Sequence, residues 1–156
     1  MRIFILAACL SALPLVAQEA KTTYQAEFVF HEQSSAKPAS EDRRYAFTLD
    51  SNGNGYMRMG RKIPVQTAGA TQYLDVGVNI NCRLRDGRDN SQQLYVEVEL
   101  SALQNENSSS STPVIRQRKI NAAAVVTPGK AAKIASVHDP ETKELLDIQV
   151  TLTRVD

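Results

Sequence analysis

Apolar and polar residues alternate with a period of two through most of this chain, and that period limits what the chain can fold into. The clearest stretch is 74–84, where nearly every second residue is apolar and most of those between are polar. Successive side chains of a strand point to opposite faces of a sheet, so this pattern is typical of a strand buried on one face. The same alternation marks 22–31, 43–50, 94–101 and 146–152.

Turn-forming sequences separate these stretches, and no segment predicts a helix of more than two turns. Their spacing predicts an all-β fold with about eight antiparallel strands in a single sandwich-like or barrel-like domain. A serine-rich stretch, Asn105 to Thr112, is typical of a mobile loop. The turn sequences are Asn52-Gly53-Asn54-Gly55, Asp86-Gly87, Pro128-Gly129 and Asp139-Pro140.

The first 17 residues have the order of a secretory signal peptide. Arg2 precedes an apolar run, Pro14 ends it, and cleavage is expected after Ala17. This predicts a signal peptide over 1–17 and one all-β domain over 18–156, periplasmic or secreted, with outer-membrane association left open. In the alternative, Leu6-Ala7-Ala8-Cys9 is a lipoprotein acylation signal, and a lipid on Cys9 tethers the protein to a membrane.

Composition excludes several classes of partner. The chain has 18 Lys and Arg against 17 Asp and Glu, and removal of Arg2 leaves 17 of each sign. That balance lacks the positive footprint of a nucleic-acid-binding protein. Later segments fall short of the ~20 apolar residues that a helical span needs, so we expect no integral membrane span. Cys82 is left without an intramolecular disulfide partner once Cys9 is removed.

Two features suggest metal binding, and simpler interpretations explain both. Asp50 to Gly55 satisfies the opening of an EF-hand calcium loop, yet the twelfth position, where a bidentate Glu belongs, is Arg61. A hairpin turn explains the same residues. His31 and His138 lack the spacing of a ligand pair. We therefore predict no metal and no cofactor.

The sequence also assigns no catalytic residue. Cys82 lies on the apolar face of the best strand and is expected in the core. Glu97 and Glu99 share an outward face about 7 Å apart. Arg116, Arg118 and Lys119 are expected on a solvated strand face. The preferred hypothesis is a non-enzymatic module, and the alternative is a hydrolase whose site is assembled from residues distant in sequence.

From Gly60 onward the order of motifs resembles the C-terminal β-domain of secretins, the ring-forming outer-membrane channels of bacterial secretion and pilus systems. The resemblance covers roughly 60–130. The family's Gly-Gly-Leu signature is absent, since Pro128-Gly129-Lys130 leads into Ala131-Ala132 instead. The segments that carry it are Gly60-Arg61-Lys62-Ile63-Pro64-Val65, Tyr73-Leu74-Asp75-Val76-Gly77-Val78-Asn79-Ile80, Glu97-Val98-Glu99-Leu100-Ser101 and Pro113-Val114-Ile115-Arg116-Gln117-Arg118.

The resemblance implies a secretin-like β-fold and a non-catalytic structural or binding role, in the form of a secretin-related accessory with an envelope protein partner. It also implies a ring. Glu97, Glu99, Arg116 and Arg118, expected as charged outward positions, instead predict a monomer or small oligomer, because charge on exposed strand faces discourages open-ended association.

Overall fold

Eight antiparallel strands in two four-stranded sheets make up nearly all of the computed structural model, which describes residues 21–34, 37–67, 70–103, 114–140 and 143–155. These residues form no helix, so the predicted all-β sandwich is confirmed. The strands are β1 (Thr23–Ser34), β2 (Lys37–Asp50), β3 (Asn54–Thr67), β4 (Ala70–Asp86), β5 (Gln92–Leu103), β6 (Ile115–Val126), β7 (Ala132–His138) and β8 (Leu145–Val155).

The two sheets differ in how the chain builds them. The first sheet has the order β2-β1-β8-β7, so the last strand pairs with the first. The second sheet, β3-β4-β5-β6, is a meander of consecutive hairpins. The chain therefore changes sheets twice, between β2 and β3 and between β6 and β7. Phe28 lies opposite Val150 in the first sheet, and Ile80 lies opposite Val98 in the second.

The apolar faces of the two sheets form one core. Phe28 stacks on Phe47 with ring centroids 5.7 Å apart, and Phe30 meets Tyr45 edge-on at 5.4 Å. Cys82 is buried among the core residues, as expected. Seven further residues expected in the core from their alternation are all buried: Val76, Val78, Ile80, Val96, Val98, Ile148 and Val150.

The segment Asp50 to Gly55 is a corner between the sheets, which corrects the expected hairpin turn. β2 and β3 belong to different sheets because each places its apolar face against the shared core. Asn52 adopts a φ of 56°, and the Gly53 N–H donates to the Asp50 carbonyl at 3.0 Å. The Thr23 hydroxyl donates to Asp50 Oδ1 at 2.9 Å, which ties the corner to β1.

Gly77 is the first residue of β4 that pairs with β5. Its φ is 149°, and a Cβ there would lie 2.2 Å from the Met59 carbonyl oxygen, so the backbones of β3 and β4 approach closely at this point. Its N–H donates to Ser101 Oγ at 3.0 Å. From Val76 back to Ala70, β4 pairs with β3 alone, and the two strands form a ribbon that extends beyond the β4–β5 pairing.

Several sequence predictions fall outside the described residues: the signal peptide, acylation at Cys9 and the loop from Asn105 to Thr112. Within the described residues, there is no helix with the length and apolar character needed to cross a membrane.

Candidate functional site

A cleft of about 770 Å³ opens between the two sheets, at the end where β1 runs into β2. Its size is within the range of roughly 300–1,000 Å³ typical of ligand sites. Its apolar wall comes from the second sheet through Met59, Val76, Val78 and Leu100, and the first sheet adds Tyr45. The well-packed core therefore gives way here to an open space whose rim is charged.

Arg116 and Arg118 point into this cleft, which corrects the expectation that they lie on a solvated face. Their side chains are only 25% and 17% exposed. The register explains the placement, because β6 puts alternate residues on one face and Ile120 of the same parity packs against the core. Lys119, of the opposite parity, faces solvent and pairs with Glu97.

The two arginines are the centre of an inter-sheet ion cluster, formed by Glu32, Arg43, Arg116, Arg118, Asp139 and Glu144. Arg118 Nη1 lies 3.0 Å from Glu32 Oε1 of the first sheet, and Glu32 also pairs with Arg43 at 2.9 Å. Arg116 Nη1 lies 2.9 Å from Glu144 Oε2. Arg116 also pairs with Asp139, and Arg118 with Glu144. The cluster therefore connects β6 to β1, β2 and the β7–β8 connection.

The surroundings of Arg116 in the inter-sheet ion cluster stabilise its charged form. Burial alone would lower the pKa of Arg116, but hydrogen bonding and the negative charges of Asp139 and Glu144 outweigh it and raise the pKa. Arg116 therefore stays charged, as arginine does in general. The arrangement can hold the two sheets together, with its carboxylates engaged by the arginines.

The candidate nucleophile Cys82 lies in the core rather than in the cleft. Burial raises the pKa of its thiol from 9.0 to about 11, and the backbone hydrogen bond with Gly55 lowers it by less. Because the thiolate is the nucleophilic form, this thiol is inert near neutral pH.

The predicted polar candidates lie on the outer faces of the sheets. His31 Nδ1 is 2.6 Å from Asp42 Oδ1 on the outer face of the first sheet. Asp147 lies opposite His31, and its pKa is lowered chiefly by hydrogen bonds from Lys133 and then Ser136. His138 ends β7 in an exposed position. In the described ranges, no three His, Cys, Asp or Glu side chains are grouped so that they could hold a metal ion.

Glu97 and Glu99 lie on the outer face of the second sheet, and each has a partner on β6. Lys119 Nζ lies 2.5 Å from Glu97 Oε1, and this hydrogen bond, with the charge of Glu97, raises the pKa of Lys119. Gln117 donates to Glu99. The two carboxylates thus belong to a ladder of cross-strand pairs, the ordinary arrangement on an exposed sheet.

No protein-family model matches this chain, and no curated protein does. Solved structures do. The secretin InvG of the Salmonella SPI-1 type III secretion injectisome superposes with a TM-score of 0.71 and 11% identity, over 88% of this chain and 66% of that one. The type II secretin GspD of enteropathogenic Escherichia coli superposes with a TM-score of 0.56 and 12% identity, over 87% of this chain and 67% of that one. The type II secretin XcpQ of Pseudomonas aeruginosa superposes with a TM-score of 0.53 and 12% identity, over 86% of this chain and 56% of that one.

The fold is therefore that of the secretin β-domain, and the likeness extends well beyond the segment 60–130 that carried it in the sequence. The chain spans 66% or less of the Salmonella secretin chains that it matches. InvG is part of an atomic model of basal body proteins with PrgH and PrgK, and a GspD is solved in complex with the pilotin AspS.

The inter-sheet ion cluster is what the sequence analysis missed. A signal for it was present: Arg116 and Arg118 have the same parity as the core-packing Ile120 and Ala122. The odd or even position of a residue along the strand, rather than its charge, decides whether its side chain faces the core or the solvent.

Proposed function

We propose that this chain is an exported β-domain of the bacterial cell envelope with a non-catalytic structural or binding role, as a secretin-related accessory of a secretion or pilus system. The observation that carries the proposal is the fold shared with InvG over 88% of the chain. Secretins with this fold are solved together with envelope proteins. An envelope protein partner for this chain, and a place in the periplasm or at the outer membrane, follow by analogy.

The chemistry of the cleft supports a role without catalysis. The arginines and carboxylates at its rim are engaged with one another across the sheets. A catalytic site needs groups poised to change protonation or to attack substrate, and the candidate thiol, Cys82, is buried away from the cleft. The rival proposal of a hydrolase would need a reactive group in this cleft.

We further propose a monomer or small oligomer. One outer strand of each sheet carries features that hinder edge-to-edge pairing. β7 has seven residues and a register shift between Lys133 and Ala135, and β3 contains Pro64. Short or bulged edge strands and edge prolines are how soluble sheets avoid added strands. Arg116 and Arg118 do not contribute to this argument, because they point inward.

Expression of the whole chain with a C-terminal tag in a Gram-negative host tests the proposal. The expected mature N-terminus is Gln18, in the periplasmic or outer-membrane fraction, with in-cell crosslinking to an envelope protein. A mass that corresponds to acylated Cys9 would support the lipid-tethered alternative. Retention of Met1 in the cytoplasm, or turnover of an ester or glycoside substrate that a cleft substitution abolishes, would contradict the proposal.

A further inference from the structure

The outer face of the second sheet carries an exposed aromatic and basic patch, here called the Tyr95 face. The side chains of Tyr56, Tyr95 and Val125 are 61%, 46% and 66% exposed. Of the three, Tyr95 borders a shallow cleft of about 510 Å³ on the same face. Besides these three residues, the Tyr95 face comprises Asn54, Asn81, Arg83, Arg85 and Asn121.

Two arginines on the Tyr95 face lack a carboxylate partner in the part of the chain that the structure describes. Arg83 Nε donates to Asn54 Oδ1 at 3.0 Å, which orients its guanidinium group. The Arg85 guanidinium lies 6.0 Å from the centre of the Tyr95 ring. Glu97 also borders the cleft, but Lys119 neutralises it. The positive charge of the Tyr95 face is therefore uncompensated.

The outer face of the first sheet provides the contrast. Arg44 there pairs with Glu27, and Lys133 pairs with Asp147. Tyrosine and arginine are enriched at the centres of protein interfaces, and arginine forms bidentate pairs with carboxylates. The concentration of exposed tyrosines and unpaired arginines on one face thus indicates a binding surface rather than ordinary solvated sheet.

We propose that the Tyr95 face binds an extended acidic segment of a partner protein, with carboxylates at alternate positions. Arg83 and Arg85 lie on the same face two residues apart, which separates their backbones by about 7 Å. Alternate side chains of an extended peptide have the same spacing, so each guanidinium can hold one carboxylate. Apolar side chains of the segment pack on Tyr95 and Val125. This binding does not depend on the chain serving a secretion system.

Fluorescence anisotropy tests the proposal with a short labelled peptide in which glutamate alternates with tyrosine. We expect saturable binding to the mature protein that weakens as salt rises. Arg83→Gln and Arg85→Gln should each weaken binding about tenfold, or about 1.4 kcal/mol, because each removes a charge-assisted hydrogen bond to a carboxylate. Tyr95→Ala should weaken it several-fold without a change of charge. The double variant Arg44→Gln/Lys133→Gln removes two charges from the other sheet and should bind like the wild type.

Three results would overturn the proposal. The first is no saturable binding of the glutamate peptide, or equal binding of its glutamine counterpart. The second is an equal loss in the double variant of the first sheet, which would indicate a nonspecific charge effect. The third is tighter binding of a heparin oligosaccharide or an oligothymidine to the same arginines, which would assign the face to another class of anion. Thermal melts of each variant show that the fold is retained.

Discussion

Arg118 links the two sheets through Glu32 and Glu144, and its side chain is only 17% exposed. Removal of one partner from a poorly solvated ion pair leaves the other uncompensated, so Arg118→Ala should reduce the free energy of unfolding by about 2–4 kcal/mol. Its sequence neighbour provides the control. Lys119→Ala breaks only an exposed, solvent-screened pair with Glu97 and should reduce the free energy of unfolding far less than Arg118→Ala does. Urea titration measures both, and equal losses would contradict the inward placement of Arg118.

Cys82 makes stability depend on pH in the alkaline range. Its folded-state pKa of about 11 is above the ordinary 9.0, so the folded protein favours the neutral thiol. The resulting stabilisation is fully present below pH 9 and is lost as the pH rises towards 11. Between these limits, we expect the free energy of unfolding to fall more steeply for the wild type than for Cys82→Ala. Parallel curves in urea titrations at several pH values would show that the thiol is not buried as described.

The face of the sheet on which a residue lies is decided by its odd or even position along the strand, and not by whether its side chain is charged. Ile80 and Val98 were predictable because their alternation is unbroken by charge. The inward placement of Arg116 and Arg118 could not be predicted, because a charged side chain is normally solvated. Only the folded structure brings Glu32 and Glu144 close enough to be their partners. Those acids lie far away in sequence, Glu32 on β1 and Glu144 in the β7–β8 connection.

The β3–β4 ribbon depends on the close approach of its two strands at Gly77. A Cβ at this position would collide with backbone atoms of Met59 and Gly60, which cannot rotate away. Gly77→Ala should therefore cost more than about 2 kcal/mol. Gly129→Ala is the matched control, since its φ is 80° but no atom lies within 4 Å of an added Cβ, and it should cost about 1 kcal/mol. Thermal melts compare the two, and a smaller loss for Gly77→Ala would contradict the close approach.

Hydrogen bonds organise the corner from Asp50 to Gly55. The Asp50 carboxylate already accepts from Thr23, and Arg61 occupies the position of the expected bidentate ligand. Millimolar calcium should leave the melting temperature unchanged. A rise of several degrees that Asp50→Asn abolishes would show selective binding to the folded state and contradict this account.

At the scale of elements, periodicity predicted five strands well and their connections less well. The pattern in β2 shows that one face is buried but does not show which sheet contains the next strand. The corner at Asn52 was therefore expected as a hairpin. Pairing of β1 with β8 joins residues that lie far apart in sequence, from Gln33 with Leu145 to Thr23 with Val155, and no local signal encodes it.

The whole molecule presents four outer strands, and its state of association tests how well they resist pairing. β7 is short and irregular and β3 contains Pro64, so the mature protein should be a monomer or small oligomer in solution. Light scattering coupled to size exclusion measures the mass directly. A ring of about ten or more subunits would contradict this prediction, because the edge features would then have failed to exclude a neighbouring strand.

The position of β8 between β1 and β7 also governs when the molecule can fold. The first sheet gains its central pairing only after β8 has been made, because Val150 must reach Phe28. Contacts between such distant residues pay a large loop-closure entropy and form slowly. The second sheet, whose neighbours are consecutive, has no such delay. A chain that emerges N-terminus first would thus form its meander early and expose the aromatic face of β1 until β8 has been made.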